Sequence, residues 1–471
     1  MKGKLFSLVL FIASVIAAPV SFAAEKFDVI IVGAGISGIA AGKKLKDHGF
    51  SVLILEGRDY VGGRMHTVSL SGIPVDLGAS FIEGTTNNPI VALTTQFNIP
   101  SKAFNWDTYI IFNTFSKPFQ ELSNGQYNQI DKLTDALYAQ IEKLQDAGLG
   151  KNVSLAKGLK SWIASHSALN RLLLRYIIGA EIEHDYGADA DTLSLNNFDQ
   201  DDRIHGGYKI MVKGYQPLVQ ALMKSSNLDV RLQHKVTAIS YNNKGGEVVT
   251  SKGRFFGKWV ICTVPLGVLK LPAGDPNHIN FTPPLPAAKQ GAIHRLQMGI
   301  LDRTILLFPN NFWDKAPWYQ HLLIGRVPSS AKNGQWIEAI NLAPFLKRPV
   351  LSIFNAGSVA ANFENKTKEQ IVASIMTYLR SVYGENIPQP IGVIVTRWGQ
   401  DPFSRGAYSH IPPGADGNDY TILGQSVMRL HFAGEATIRS FPSSVRGAYL
   451  SGIREADSII KERNSQDAHN R

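Results

Sequence analysis

Cysteine is almost absent from this sequence: its 471 residues include one, Cys262. A lone thiol inside the apolar run Trp259-Val260-Ile261-Cys262 makes no internal disulfide and no cysteine-based metal centre, and it reads as a small buried hydrophobe. The histidines are scattered without ligand spacing, so no metal site is expected. No repeat of solenoid or propeller period occurs. The 42 glycines sit at strand ends and turns without a period, which excludes collagen-like and low-complexity architectures. Lys and Arg outnumber Asp and Glu, 48 to 38, yet they form no dense run. That charge reads as a solvated surface, gives no reason to expect nucleic acid, and by itself does not favour a cationic ligand.

Only the N terminus carries a long apolar run. Lys2 and Lys4 precede the stretch Leu5 to Val20, and Ser21-Phe22-Ala23 offers a small-x-small cleavage site. Residues 1–23 are therefore expected to be a signal peptide. With no twin-arginine pair, the general secretory route is implied, so the mature chain is expected to be exported, periplasmic or secreted. A membrane anchor is the competing reading. The run is short for a span, and its small-residue end favours removal, which leaves no stable membrane span. Removing two lysines and no acid changes the charge from +10 to 46 − 38 = +8. The remaining length suggests two intimately packed domains.

The first such domain announces itself at once. Phe27-Asp28-Val29-Ile30-Ile31-Val32 has the continuous apolar character of a buried parallel strand. It runs into Gly33-Ala34-Gly35-Ile36-Ser37-Gly38, a helical pattern through Leu45, and a second strand Val52-Leu53-Ile54-Leu55 ending at Glu56. This is the βαβ setting that a dinucleotide-binding G-x-G-x-x-G motif requires. Gly33, Gly35 and Gly38, with Ser37, let the backbone approach a pyrophosphate at a helix N-terminus. Glu56 is placed for ribose hydroxyls and argues against a 2′-phosphate. A nicotinamide Rossmann unit would stop there, whereas this chain continues with Gly57-Arg58-Asp59-Tyr60-Val61-Gly62-Gly63-Arg64 and then Val75-Asp76-Leu77-Gly78-Ala79-Ser80.

With these two elements the sequence resembles the flavin-containing amine oxidase family, which includes monoamine oxidases, polyamine oxidases and histone lysine demethylases. The resemblance covers nearly all of the mature chain. It extends through Lys213 to Leu218, His234-Lys235-Val236, Thr263 to Leu269, Trp398 to Tyr408, Phe432-Ala433-Gly434-Glu435 and Ser443 to Tyr449. It implies an α/β FAD-binding Rossmann-like domain of the glutathione-reductase type, discontinuous in sequence, with an α+β substrate-binding domain. The expected segments are 25–95, 211–284 and 391–462 for FAD, with 96–210 (helical) and 285–390 for substrate. From Arg463 a polar tail is expected to fray.

The resemblance also implies roles. Arg64 would lie near the pyrophosphate, Arg58 and Gly63 would also bind the cofactor, and Gly78, Ala79 and Ser80 would lie near the flavin ring. Val236 would hold the adenine, and Gly434 and Glu435 the ribityl chain. Ser444 and Val445, opening a helix, would lie at the pyrimidine edge, where a positive dipole end stabilises negative charge. Trp398 would pack on the flavin and Tyr408 line the substrate cavity; taken alone, both would read as core aromatics. Two departures stand out. Arg303 occupies the position where most relatives have a lysine holding a water, so the geometry for reaction with oxygen changes and an amine dehydrogenase becomes a competing reading. Ser444 replaces the second aromatic beside the amine, with Phe441 nearby in sequence. Ala407 at the position of the flavin-linked cysteine of monoamine oxidases implies non-covalent FAD.

The expected reaction is oxidation of a polyamine or related primary or secondary amine. Hydride passes to flavin N5, the imine hydrolyses to an aldehyde, and oxygen or another acceptor takes the electrons. Glu83 matches a tunnel glutamate of some plant polyamine oxidases. From Glu181 to Asp202 there are eight acidic residues and no Lys or Arg, with Glu181 and Glu183 as tunnel candidates. The plainer reading of that stretch is a solvated acidic loop. Rival functions are an L-amino-acid oxidase, with Arg303 or Arg446 clamping a carboxylate, a demethylase acting on protein-bound lysine, and a non-enzymatic flavoprotein.

Overall fold

The structure is a computed structural model describing residues 25–114, 119–313, 322–328 and 334–469, so the expected signal peptide lies outside the described residues. An eight-stranded sheet forms the first domain. Its centre is Glu25–Val32, flanked in parallel by Val52–Leu55 and Gly253–Cys262. Val29, Ile30 and Ile31 are fully buried, as their unbroken apolar run requires in a sheet covered on both faces. Asp229–Arg231 extends one side in parallel. On the other side Gly245–Thr250 and Val236–Asn242 run antiparallel, while Leu430–Phe432 pairs with Gly253–Cys262. The three sequence segments that carry this sheet are thus brought to one core.

The helix Ile36–Asp47 packs on this sheet because it carries small residues where it meets it. A Cβ at Gly38 would lie 2.1 Å from the Gly33 carbonyl oxygen. The C-terminal helix Val445–His469 crosses the same helix, with Gly452 directly against Ser37. That helix does not stop at Arg463 as expected. It continues to His469, with the Arg463 guanidinium lying 3.7 Å over the Phe50 ring and NH2 donating to the His48 carbonyl. The long arginine covers an aromatic edge, an attachment that a count of polar residues misses.

The second domain contains a seven-stranded sheet formed by Gly392–Val395, Leu301–Leu307, Val350–Ala356, Glu338–Asn341, Leu323–Arg326, Tyr109–Asn113 and Gln120–Glu121, in that order. Gly392–Val395 pairs with Leu301–Leu307, so the third cofactor segment starts after this strand and not at 391. The helices Asn124–Asp146, Leu155–Ala164 and Ala168–Ile177 share one apolar core with the segment around Ile182. The region 96–210 is not purely helical: it also supplies the strands Ser101–Phe104 and Tyr109–Asn113. Ser123 opens the longest of these helices with a reciprocal capping box to Gln126. Among the described residues no helix is long and apolar enough to cross a membrane, and no cluster of potential metal ligands is found.

Candidate active site

A cavity of about 1100 Å³ is lined by residues from both large sheets. The part lined by the glycine loops fits a dinucleotide on local grounds. Gly33, at φ +105°, makes the turn out of the first strand, where a Cβ would lie 2.5 Å from Thr263 Oγ1. Gly35 faces open space, and no side chain caps the helix that begins at Ile36. The first-turn amides and the positive dipole end are therefore available to an anion. The second glycine loop closes on the first: a Cβ at Gly63 would lie 3.6 Å from the Gly35 Cα, and Gly62 bridges to Gly35.

Several expected cofactor residues line the cavity while bracing one another. Glu56 accepts the Ala34 and Arg58 amides at 2.8 Å each, which ties the two glycine loops to the second strand. Arg58 forms a two-pronged pair with Asp401, at 2.6 and 2.8 Å, and donates to Ser404 Oγ. Arg64 NH1 donates to Glu435 Oε1 and to the Ala407 carbonyl, at 2.8 and 2.9 Å. Glu435 is buried, and its other oxygen accepts from Ser409 Oγ at 2.5 Å and from the Ser443 amide. Its carboxylate is thus engaged by the protein and holds the loop that carries Ser443. Ser444 caps the C-terminal helix, its Oγ accepting the Gly447 amide at 3.0 Å and donating to the Phe441 carbonyl. Ser37, Gly78, Ala79, Ser80, Val236, Gly434 and Val445 also line the cavity, whereas Gly38 lies outside it and serves helix packing.

Arg303, Trp398 and Tyr408 come together on the wall. Arg303 NH1 donates to Ser80 Oγ at 2.6 Å and to the Asp76 carbonyl at 3.1 Å, with the guanidinium 5.1 Å from the Phe354 ring centre. Burial pulls Arg303 down to about 10, opposed chiefly by Asp76, and it stays charged at neutral pH. Trp398 Nε1 donates to the Leu77 carbonyl, which sets its ring against the Gly78 loop. The Tyr408 hydroxyl donates to the His184 carbonyl at 2.7 Å, and burial holds its proton far more tightly than usual. Phe441 also faces the cavity, stacked 3.7 Å beneath the Arg446 guanidinium.

Another part of the lining is acidic. Glu83, Glu181, Asp185, Asp201 and Glu338 all belong to it. Their side chains meet cavity space while the surrounding protein still withholds much of bulk water. Burial, with Glu83 as the first contributing charge, pushes Asp185 up to about 8. Burial and Asp201 push Glu83 up to about 7, and burial with Glu338 brings Glu181 to about 6. Glu183 does not join them. It binds Arg175 NH2 at 2.6 Å and the Ala190 amide at 3.2 Å, outside the cavity. The cause is a stretch of π-helix, Ile178–Glu183, running into His184–Tyr186. Its wide turn directs Glu181 and Asp185 inward and Glu183 outward, an irregularity common at functional sites. Asp185 lies two residues beyond Glu183 in the acidic stretch, so its signal is present in the sequence. Glu338, from a distant strand, has none.

A family model described as flavin containing amine oxidoreductase matches residues 36–460. Over 449 residues the chain is 35% identical to lysine-specific histone demethylase 1 homolog 2 of Arabidopsis thaliana, covering 92% of this chain and 58% of that protein. It is 32% identical to polyamine oxidase 2 of Arabidopsis thaliana, covering 91% of this chain and 87% of that protein. The chain thus spans little more than half the length of the demethylase homologues it matches. A putrescine oxidase double mutant with redesigned cofactor binding superimposes with a TM-score of 0.74 at 20% identity, covering 93% of this chain and all of that one. That likeness concerns the fold.

Proposed function

The chain belongs to the flavin containing amine oxidoreductase family, and on that premise we propose that it oxidises a polyamine at a carbon beside nitrogen. FAD, when bound, supplies the hydride acceptor. What the chain's own residues contribute is recognition, orientation and exclusion of water. The observation that carries the proposal is the continuity of one cavity from the glycine loops to a chamber holding Glu83, Glu181, Asp185, Asp201 and Glu338. Ionised carboxyls there attract and space the ammonium groups of an extended cation, whose approach favours ionisation of the rest, against the positive charge of the whole chain. Trp398 and Tyr408 form aromatic walls where a neutral amine is held, and Arg303 fixes Ser80 beside them.

The same chamber disfavours an L-amino acid, whose carboxylate would face this cluster. The two arginines suggested as clamps are already engaged, Arg303 by Ser80 and Asp76 and Arg446 by Asn87 and Phe441. The proposal includes oxygen as the acceptor, with peroxide as product, and export by the leader at 1–23, which cell fractionation checks. The deciding experiment mixes holoprotein anaerobically with spermidine, spermine, a simple monoamine, an L-amino acid and a methyllysine peptide while flavin absorbance is followed. Rapid bleaching by the polyamines supports the proposal. Bleaching by the monoamine, the amino acid or the peptide alone replaces the substrate class, and no bleaching refutes the polyamine reading.

A further inference from the structure

Behind the wall that carries Arg303 and Trp398 lie two buried carboxyl groups that the reaction does not use. Asp302 and Glu364 are each 8% exposed. Asp302 Oδ1 accepts the Trp398 amide at 3.0 Å and the Thr396 hydroxyl at 2.8 Å, while Thr396 Oγ1 itself accepts the Arg303 amide at 2.8 Å. Glu364 Oε1 accepts the Gly399 amide at 2.6 Å. The two carboxyls therefore grip the backbone on both sides of Trp398 and, through Thr396, the backbone of Arg303. Asp302 Oδ2 meets no N–H or hydroxyl donor among the described residues. Burial holds the Asp302 carboxyl well above the usual range; the Trp398 amide opposes this, and the adjacent Glu364 adds to it. Because the two carboxyls grip successive amides, a proton on the unpartnered Oδ2 of Asp302 relieves the like-charge repulsion that its ionisation would create.

We propose that Asp302 and Glu364 are positioning residues, the Asp302 carboxyl carrying a proton, and that together they hold Arg303 and Trp398 in place on the cavity wall. The other charged groups near the pair do not substitute for that proton. Arg303, on the same strand, directs its guanidinium to Ser80 and the Asp76 carbonyl. Arg397 binds the Glu364 and Lys366 backbone carbonyls. Loss of the Asp302 proton adds a negative charge beside Glu364 and loosens the grip on the amides of Trp398 and Gly399.

The inference rests on the flavin-binding reading of the cavity, and its first test needs no substrate. The visible spectrum of the bound flavin is titrated from about pH 6 to 10 in the wild-type holoprotein, Asp302→Asn, Glu364→Gln and Asp302→Ala. The wild type is expected to show an alkaline one-proton transition. Asp302→Asn should lack it, because its amide does not ionise, and Glu364→Gln should move it to lower pH, because an amide N–H beside Asp302 favours the charged carboxylate. In Asp302→Ala, which leaves the Trp398 amide without its acceptor, the spectrum should differ from wild type at every pH, and flavin reduction by spermidine should slow by about tenfold or more with little change in KM. A transition that persists unchanged in both amide variants and is not removed by Asp185→Asn, which silences the chamber carboxyl that ionises in the same range, or one missing from the wild type, overturns the proposal, as does wild-type behaviour of Asp302→Ala. If Asp302→Ala does not fold, the two amide variants decide. If no amine reduces the flavin, the substrate class fails while this titration still answers.

Discussion

Asp185→Asn probes the acidic chamber where its electrostatics are most unusual. With its carboxyl pushed up to about 8, Asp185 is mostly protonated at neutral pH. If its carboxylate holds a distal ammonium, recognition of a polyamine over a monoamine strengthens as the carboxyl ionises. An isolated group of that pKa goes from about 1% ionised at pH 6 to about 50% at pH 8, roughly a fifty-fold rise. Water in a cavity of about 1100 Å³ screens the group, so fifty-fold is an upper bound. The assay is the ratio of kcat/KM for spermidine to that for a monoamine across this range. Both substrates must present a neutral amine to the reacting position, so the ratio cancels that ionisation and isolates the distal charge. The ratio should climb in the wild type and stay nearly flat in Asp185→Asn. A wild-type ratio that does not change with pH would refute the reasoning, whatever the absolute rates.

The same carboxyls bear on stability. Asp185 and Glu83, near 8 and 7 when folded, bind protons more tightly than in the unfolded chain, so the folded state holds more protons between about pH 4 and 8 and loses stability as pH rises through that window. Thermal melts of Asp185→Asn should therefore exceed wild type at pH 8 and converge with it at the acid end. Asp401→Ala strips the buried Arg58 guanidinium of its two-pronged partner and should cost about 3 kcal/mol in denaturant unfolding. Gly78→Ala would place a methyl 1.9 Å from the Arg64 carbonyl oxygen and 3.2 Å from the Trp398 ring, so the purified protein should carry less flavin per chain, read from its absorbance ratio. Arg303→Lys replaces a planar fork bound to Ser80 with a compact ammonium and should speed reoxidation of the reduced flavin by oxygen in stopped-flow measurements; an unchanged rate would remove the positional match on which that expectation rests.

Much of this molecule is legible in the chain because its signals are local. The apolar run ending at Val32, the glycines that follow it and Glu56 form one contiguous βαβ unit, whose geometry is set by strand burial and tight turning over a few dozen residues. Short motifs point to Arg303, Trp398 and Tyr408, and the three meet on one wall. Other features depend on neighbours far away in sequence. The helix past Arg463 persists because Phe50 offers it a surface, and Gly392–Val395 joins the second sheet because Leu301–Leu307 presents an edge. The wide π-turn that sends Glu183 out and Asp185 in depends on Arg175 and Ala190 receiving the outward carboxylate. Residue order alone thus determined the cofactor domain and the class of chemistry. Which carboxylates share the chamber, and which carboxyls stand behind Trp398, was decided only by tertiary packing, because burial and charge proximity arise when distant segments meet.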